Sequence, residues 1–194
     1  MTRARILDAG RRVLVKGTYS GVTIEEIARE AGVAYQTVYA VFGTKQQLAQ
    51  AIVEQGWPHI APALELIASA RESRDPDVWL RTAARVARLI LEPCADLVRF
   101  MRESGDAALL NRYRENEKVR YAQLVELKTV LARSGRLRPE VSAEEALAVI
   151  WSMTGADWYV KLVFERGWTP DRFEEWLGDA LIAMLLRPRR RGAG

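Results

Sequence analysis

Thr23-Ile-Glu-Glu-Ile-Ala-Arg-Glu-Ala-Gly-Val-Ala-Tyr-Gln-Thr-Val-Tyr-Ala-Val-Phe-Gly-Thr-Lys-Gln-Gln-Leu48 is the stretch whose reading decides the fold. Ile24, Ile27, Ala28 and Ala31 recur at i, i+3, i+4 and i+7, the spacing of an amphipathic helix. Thr23 is a natural N-cap, and Thr23-Ile24-Glu25-Glu26 is a capping box. Gly32 breaks the chain before a short helix over roughly Tyr35–Val41, and Thr44 caps a fourth helix running to about Gln55. Upstream, a first helix is expected at about Arg3–Lys16, ended by Gly17. A helix, a glycine turn and a second short helix make a helix-turn-helix, whose second helix enters the DNA major groove. Val33, Val38 and Phe42 supply its inner face, leaving Tyr35, Gln36, Thr37 and Ala40 outside.

Beyond this stretch, Gly56, Pro58 and Pro62 mark a change of direction. Helical periodicity then predicts helices near 60–73, 77–91, 94–104, 106–133, 142–165 and 171–186. The segment 106–133, read as one helix, is about 42 Å long at ~1.5 Å per residue. Phe173, Trp176, Leu177, Ala180, Leu181, Met184 and Leu185 keep the helical rhythm over three turns. No segment alternates as a strand does, and no internal repeat is evident. The expected fold is all-α, with about nine helices: a helix-turn-helix, three-helix DNA-binding domain over 1–55, a larger helical bundle over 56–187, and a flexible basic tail over 188–194.

Composition narrows the functional classes. The 194 residues are 49% hydrophobic and 28% charged, an ordinary globular profile. Cys94 is the single cysteine, so no internal disulfide framework exists. Thr2–Gly10 has no signal-type apolar run and no stretch reaches ~18 apolar residues, so a cytoplasmic protein without membrane contact is expected. His59 and Cys94 alone cannot supply a zinc site, and no metal or cofactor is expected. No Ser-His-Asp or Cys-His spacing, Gly-rich phosphate loop or paired carboxylates argue for an enzyme.

Charge is unevenly placed. Residues 1–50 carry seven basic groups (Arg3, Arg5, Arg11, Arg12, Lys16, Arg29, Lys45) against four acidic ones, four arginines follow Leu186, and residues 51–186 hold 18 basic against 21 acidic groups. The asymmetry points to a polyanion contact at the N-terminus.

Residues Arg5 to Ile52 resemble the TetR family of bacterial transcriptional regulators. The resemblance rests on Gly17 and Gly21 before the capped second helix, Ala31-Gly-Val33 at the turn, Thr37-x-Tyr39 in the reading helix, and Phe42-x-Thr-Lys45 leading to Leu48. It covers about a quarter of the chain. It implies that Thr37 and Tyr39 contact base edges and phosphate and that Lys45 is a phosphate ligand. Chemistry supports each: a threonine offers a hydroxyl and a methyl, a tyrosine hydroxyl reaches a phosphate oxygen, and Lys45 opens a helix whose N-terminus already favours anions. Thr23 and Thr44 add phosphate contacts through backbone N–H groups at their caps. Gln36 is suited to pair bidentately with adenine, and Tyr35 to pack on sugar or a thymine methyl. Ala40 and Val41 stand where family members often carry a large aromatic or a histidine, so Tyr35, Gln36 and Thr37 are expected to read the operator, with methyl contacts from Ala40.

The resemblance also implies an effector-binding, dimer-forming body. Trp57, Trp79, Trp151, Trp158, Trp168 and Trp176, with Phe100, Met101, Tyr113 and Tyr121, either line a cavity for a small lipophilic or aromatic effector or simply pack the core. His59, Asp157 and Arg102 are candidate polar anchors. Leu147, Ile150, Trp151, Thr154, Trp158 and Leu162, with Phe173, Trp176, Leu177, Leu181 and Met184, form apolar stripes that fit either a four-helix dimer seam or internal core. Gly155 would permit close helix approach. The expected function is a ligand-responsive homodimeric repressor binding a pseudopalindromic operator with half-sites ~34 Å apart. A helical protein-interaction adaptor is the alternative, with an all-helical enzyme behind it.

Overall fold

The structure, a computed structural model, describes residues 2–58 and 60–188. In chain order its helices are α1 (Thr2–Lys16), α2 (Ile24–Ala31), α3 (Tyr35–Phe42), α4 (Lys45–Gly56), α5 (Ala61–Ala70), α6 (Pro76–Leu91), α7 (Ala95–Glu103), α8 (Ala107–Gln123), α9 (Val125–Arg133), α10 (Ala143–Met153), α11 (Ala156–Tyr159) and α12 (Pro170–Leu185), with a π-helical stretch over Val160–Glu165. Among the described residues the only β pairing is an isolated bridge between Leu137 and Leu186. The all-α expectation holds, with twelve α-helices among the described residues where about nine were expected.

The chain divides into two compact units. The first comprises residues 1–58 and 93–116, the second 59–92 and 117–194. The first unit's core is Ile6, Leu7, Ala9, Leu14, Ile27, Val38, Leu48, Ile52, Leu97 and Met101, all buried. A Cβ on Gly10 would lie 2.6 Å from Ile52 Cδ1, so the glycine makes room for this α4 side chain against α1. At the end of α2, Gly32 takes the left-handed conformation (φ 63°, ψ 41°), and the Val33 N–H donates to the Ala28 carbonyl at 3.0 Å. A side chain at that φ costs about 1–2 kcal/mol, which is why glycine ends this helix.

Residues 93–116 fall in the first unit rather than in the body expected over 56–187. Long-range chemistry explains it. Arg11 donates to both Asp96 carboxylate oxygens, at 2.7 and 2.9 Å, and also reaches the Pro93 carbonyl. Phe100 meets the Tyr19 ring edge-on at 6.0 Å. Cys94 is fully buried beside this bridge, and burial pushes its thiol up to about 12, aided by Asp96 and opposed by Arg11. Such a thiol favours the folded state below its ordinary 9.0 and gives this up as pH rises from there towards 12. The urea midpoint is therefore expected to fall between about pH 8 and about pH 11, and Cys94→Ala to flatten part of that fall.

The second unit packs α12 along α6 and α10 against α9, around Leu80, Ala84, Leu131, Leu147, Ile150, Tyr159, Phe173, Leu177 and Leu181. Two expected helices are divided here. The helix expected over 106–133 is interrupted at Leu124 (φ −82°, ψ −9°), whose N–H bonds to the Tyr121 carbonyl three residues back. The helix expected over 142–165 stops at Thr154, whose hydroxyl donates to the Ile150 carbonyl at 2.7 Å, and Gly155 is extended (φ −78°, ψ 163°) before α11 begins. A side-chain hydroxyl that bonds back into the helix competes with its ladder, and the extended glycine completes the break. The π-helical stretch ends at Glu165, and Gly167 takes the left-handed conformation (φ 68°) two residues on. No helix among the described residues is long and apolar enough to cross a membrane. Of the tail expected over 188–194, residues from Arg189 onward lie outside the described residues.

Candidate nucleic-acid interface

Burial fixes which face of α3 looks outward. Val38 is fully buried and Phe42 nearly so, while Tyr35 is 39% exposed, Tyr39 54% and Val41 43%. Gln36 and Ala40 are exposed, and Thr37 is half-buried. Val33, expected inside, is also only half-buried, because it lies in the turn before α3 rather than on its packed face. The Tyr35 and Tyr39 rings, one turn apart, sit 6.1 Å from each other. The outer face of α3 is thus an aromatic ridge with Gln36 and Ala40 beside it, a surface of hydroxyl, amide and methyl groups that can meet base edges and phosphates.

Both threonine caps form. Thr23 accepts from the Glu26 N–H at 3.2 Å while its own N–H donates to the Glu26 carboxylate at 2.8 Å. Thr44 accepts from the Gln47 N–H at 3.1 Å, and its N–H donates to Gln47 Oε1 at 3.0 Å. Each box satisfies the third turn donor and leaves the first N–H groups of α2 and α4 for an anion. Ala34, the residue capping α3, provides no side-chain bond, so the first donors of that helix are uncapped as well.

The basic groups divide into committed and available ones. Arg5 donates to the Ala31 carbonyl at 2.8 Å, closing the end of α2. Arg11 is held by Asp96, and Arg12 pairs with Glu30 at 2.9 Å. Lys45 is half-buried: its ammonium donates to the Tyr19 carbonyl and lies 4.5 Å from the Tyr19 ring centroid. Burial lowers its pKa, with Glu26 opposing. Arg3 was counted in the sequence but given no role; its exposed guanidinium lies 5.5 Å over the Phe42 ring, at the far end of α3. Only contact between residues 39 apart reveals it, so no local signal announced it. Lys16 and Arg29 are exposed.

The effector candidates are divided between the two units. Phe100 and Met101 are buried in the first unit, with Tyr113 half-buried there and Trp57 half-buried after α4. His59 lies outside the described residues. Trp79 is buried and donates its ring N–H to the Ser73 carbonyl at 2.9 Å, clasping the loop between α5 and α6. Trp151 is enclosed by the Tyr121 ring edge at 6.0 Å and the Arg120 guanidinium at 5.3 Å. Arg120 also donates to the Trp151 carbonyl at 2.7 Å and the Thr154 hydroxyl at 3.0 Å, and pairs with Glu117 at 2.6 Å. The Trp151 ring N–H is buried and finds no acceptor among the described residues. Trp158 is 37% exposed and packs on Trp176 at 5.5 Å, which in turn meets Trp168 at 5.8 Å. Asp157 is exposed, and Arg102 pairs with neighbouring Glu103 at 3.5 Å.

The dimer candidates separate in the same way. Leu147, Ile150, Thr154, Phe173, Leu177 and Leu181 are buried by the chain's own helices, so these six are core and not seam. A side chain already covered within its own chain has no surface left to give a partner. Leu162 and Trp176 are half-buried, and Met184 is 49% exposed, alongside exposed Phe164.

A three-helix head with an outward-facing second helix of a helix-turn-helix defines a DNA-binding domain of that class. Residues 6–52, about a quarter of the chain, match the model of the bacterial regulatory proteins of the tetR family. The HTH-type transcriptional regulator AlkX of Mycobacterium tuberculosis is 42% identical over 50 residues, which are 26% of this chain and 24% of AlkX. The chain thus spans about a quarter of the length of the curated relatives it matches. Over nearly the whole length the fold is that of NalD of Pseudomonas aeruginosa, the secondary repressor of the MexAB-OprM multidrug efflux pump (TM-score 0.65, 22% identity, 96% of this chain and 97% of NalD). A putative transcriptional regulator from Saccharomonospora viridis, solved in complex with choline, shares it too (TM-score 0.68, 17% identity, 96% and 98% covered). All three are described as regulators of transcription.

Proposed function

We propose that the chain is a ligand-responsive, homodimeric transcriptional repressor that reads a pseudopalindromic operator with α3 of each protomer. The observation that carries this is the orientation of α3: Val38 and Phe42 anchor it to the head, and Tyr35, Gln36, Tyr39 and Ala40 are exposed. The repressor role of NalD and the bound choline of the Saccharomonospora regulator support the regulatory and small-molecule parts of the reading. In the second unit, the unpaired Trp151 N–H is the polar atom best placed to meet an effector's acceptor. Exposed Trp158, Phe164 and Met184, with Leu162 and Trp176, are the apolar surface available to a second copy. An effector that prefers one conformer by ~1–3 kcal/mol would change operator affinity ~5- to 150-fold.

Fluorescence anisotropy with a labelled duplex from the chain's own promoter tests the reading. A protein neutralising six phosphates is expected to lose roughly a thousandfold in affinity between about 50 and about 200 mM salt, and light scattering to report a dimer. Absence of binding at the lower salt would replace this reading with the protein-interaction adaptor.

A further inference from the structure

A corner of the first unit joins residues that the head's DNA contacts alone do not explain. Lys45 and Gln46 open α4, Tyr19 lies in the segment between α1 and α2, and Asp106 immediately precedes α8. The Lys45 ammonium is held by the carbonyl and the ring face of Tyr19. The Tyr19 hydroxyl bonds to Asp106, and burial, aided by that carboxylate, keeps the phenol above its ordinary pKa. Gln46 Nε2 donates to both Asp106 oxygens, at 3.1 and 3.4 Å. Asp106 Oδ1 in turn accepts the Ala108 and Leu109 N–H groups, both at 3.0 Å, and so caps α8. Leu109 is the one residue of α8 that the fold buries. One carboxylate therefore ties together the loop under Lys45, the start of α4 and the first turn of α8.

We propose that Tyr19, Gln46 and Asp106 form a latch that positions the Lys45 ammonium for a DNA phosphate and couples that contact to the order of the first turn of α8. This rests on the reading of α3 and α4 as the DNA-facing corner. The coupling has a physical route. The first N–H groups of a helix have no intrahelical acceptor, so those of Ala108 and Leu109 are bonded only while Asp106 holds its place. Asp106 is held from the far side by two groups, one on α4 beside the phosphate ligand and one on the residue that carries that ligand's ammonium. A phosphate that pins Lys45 also pins Gln46 and Tyr19, and through them the cap. Linkage makes the effect mutual: any event that displaces the start of α8 weakens the phosphate contact by the same factor. Helix α8 runs on to Gln123, with its residues from Glu117 assigned to the second unit.

The test is amide hydrogen exchange on the full chain, with and without saturating duplex from its own promoter at low salt, in wild type and in Tyr19→Phe/Gln46→Ala. Both substitutions retain the Asp106 carboxylate and an aromatic ring beneath Lys45, and remove only the groups that tie the two together. In wild type, DNA is expected to slow exchange in peptides covering 35–48 and, at least about fivefold, in those covering 107–112. In the double variant the slowing over 35–48 is expected to remain, while that over 107–112 falls below about twofold. Slowing over 35–48 with none over 107–112 in wild type, or an undiminished effect over 107–112 in the variant, overturns the latch alone. No slowing over 35–48 overturns the DNA-facing reading and the latch with it.

Discussion

Phe173→Ala is expected to destabilise the second unit by about 3–5 kcal/mol, the cost of truncating a large aromatic in a packed core. Phe173 is fully buried. Its ring meets Tyr159 edge-on at 5.0 Å and lies 6.3 Å from Trp176, so it joins α11 to α12. Tyr159 is itself among the largest fully buried side chains, and burial holds its phenol up to about 12. Removing Phe173 leaves a void against the buried Tyr159 ring. Thermal unfolding followed by tryptophan fluorescence should drop by roughly 6–20 °C. The concentration dependence decides what kind of residue this is. A loss equal at low and high protein concentration identifies internal core. A loss that vanishes at high concentration would place Phe173 in a subunit seam, against its burial within one chain.

That contrast marks where the sequence stops being legible. The head was readable because its signals are local: Thr23 with Glu26 and Thr44 with Gln47 lie three residues apart, and Gly32 alone allows the left-handed end of α2. The outward residues of α3 followed from the same logic, since Val38 and Phe42 sit one turn apart on the face the head must bury. Apolar periodicity in the body showed that Leu147, Ile150, Phe173, Leu177 and Leu181 are covered, but a stripe carries no information about what covers it. The break at Leu124 had no glycine or proline to announce it, and that at Thr154 depended on a hydroxyl whose bond into the helix is one option among several. Charge counting failed for a related reason. Arg5, Arg11 and Arg12 are spent on partners 26, 85 and 18 residues away, so part of the basic excess of the first 50 residues serves the fold and not a polyanion. The latch around Asp106 was equally hidden, because Gln46 and Asp106 are 60 residues apart.

Gln36→Ala and Tyr39→Phe are expected to weaken operator binding in two different ways, and the difference tests how α3 reads DNA. Gln36 is exposed near the start of α3, where its amide can give and take a hydrogen bond at one adenine edge. Its removal should cost about 1–3 kcal/mol on the best operator and far less on operators altered at that base pair, so discrimination at one position collapses. Tyr39 is 54% exposed, and in the proposed reading its hydroxyl meets a phosphate oxygen. Tyr39→Phe keeps the ring packed near Tyr35 and should weaken all sequences by the same factor. Lys45→Ala belongs with Tyr39 in being blind to sequence, and in addition should reduce the slope of log affinity against log salt by about 1. Competition binding against a set of single-base operator variants, repeated at several salt concentrations, separates the three. If Gln36→Ala weakens every sequence alike, Gln36 lies on the backbone and base reading passes to Tyr35 and Thr37. If it and Tyr39→Phe both leave affinity unchanged, α3 is not in the groove, because no arrangement of a reading helix leaves its outward amide and hydroxyl both without a partner on the duplex.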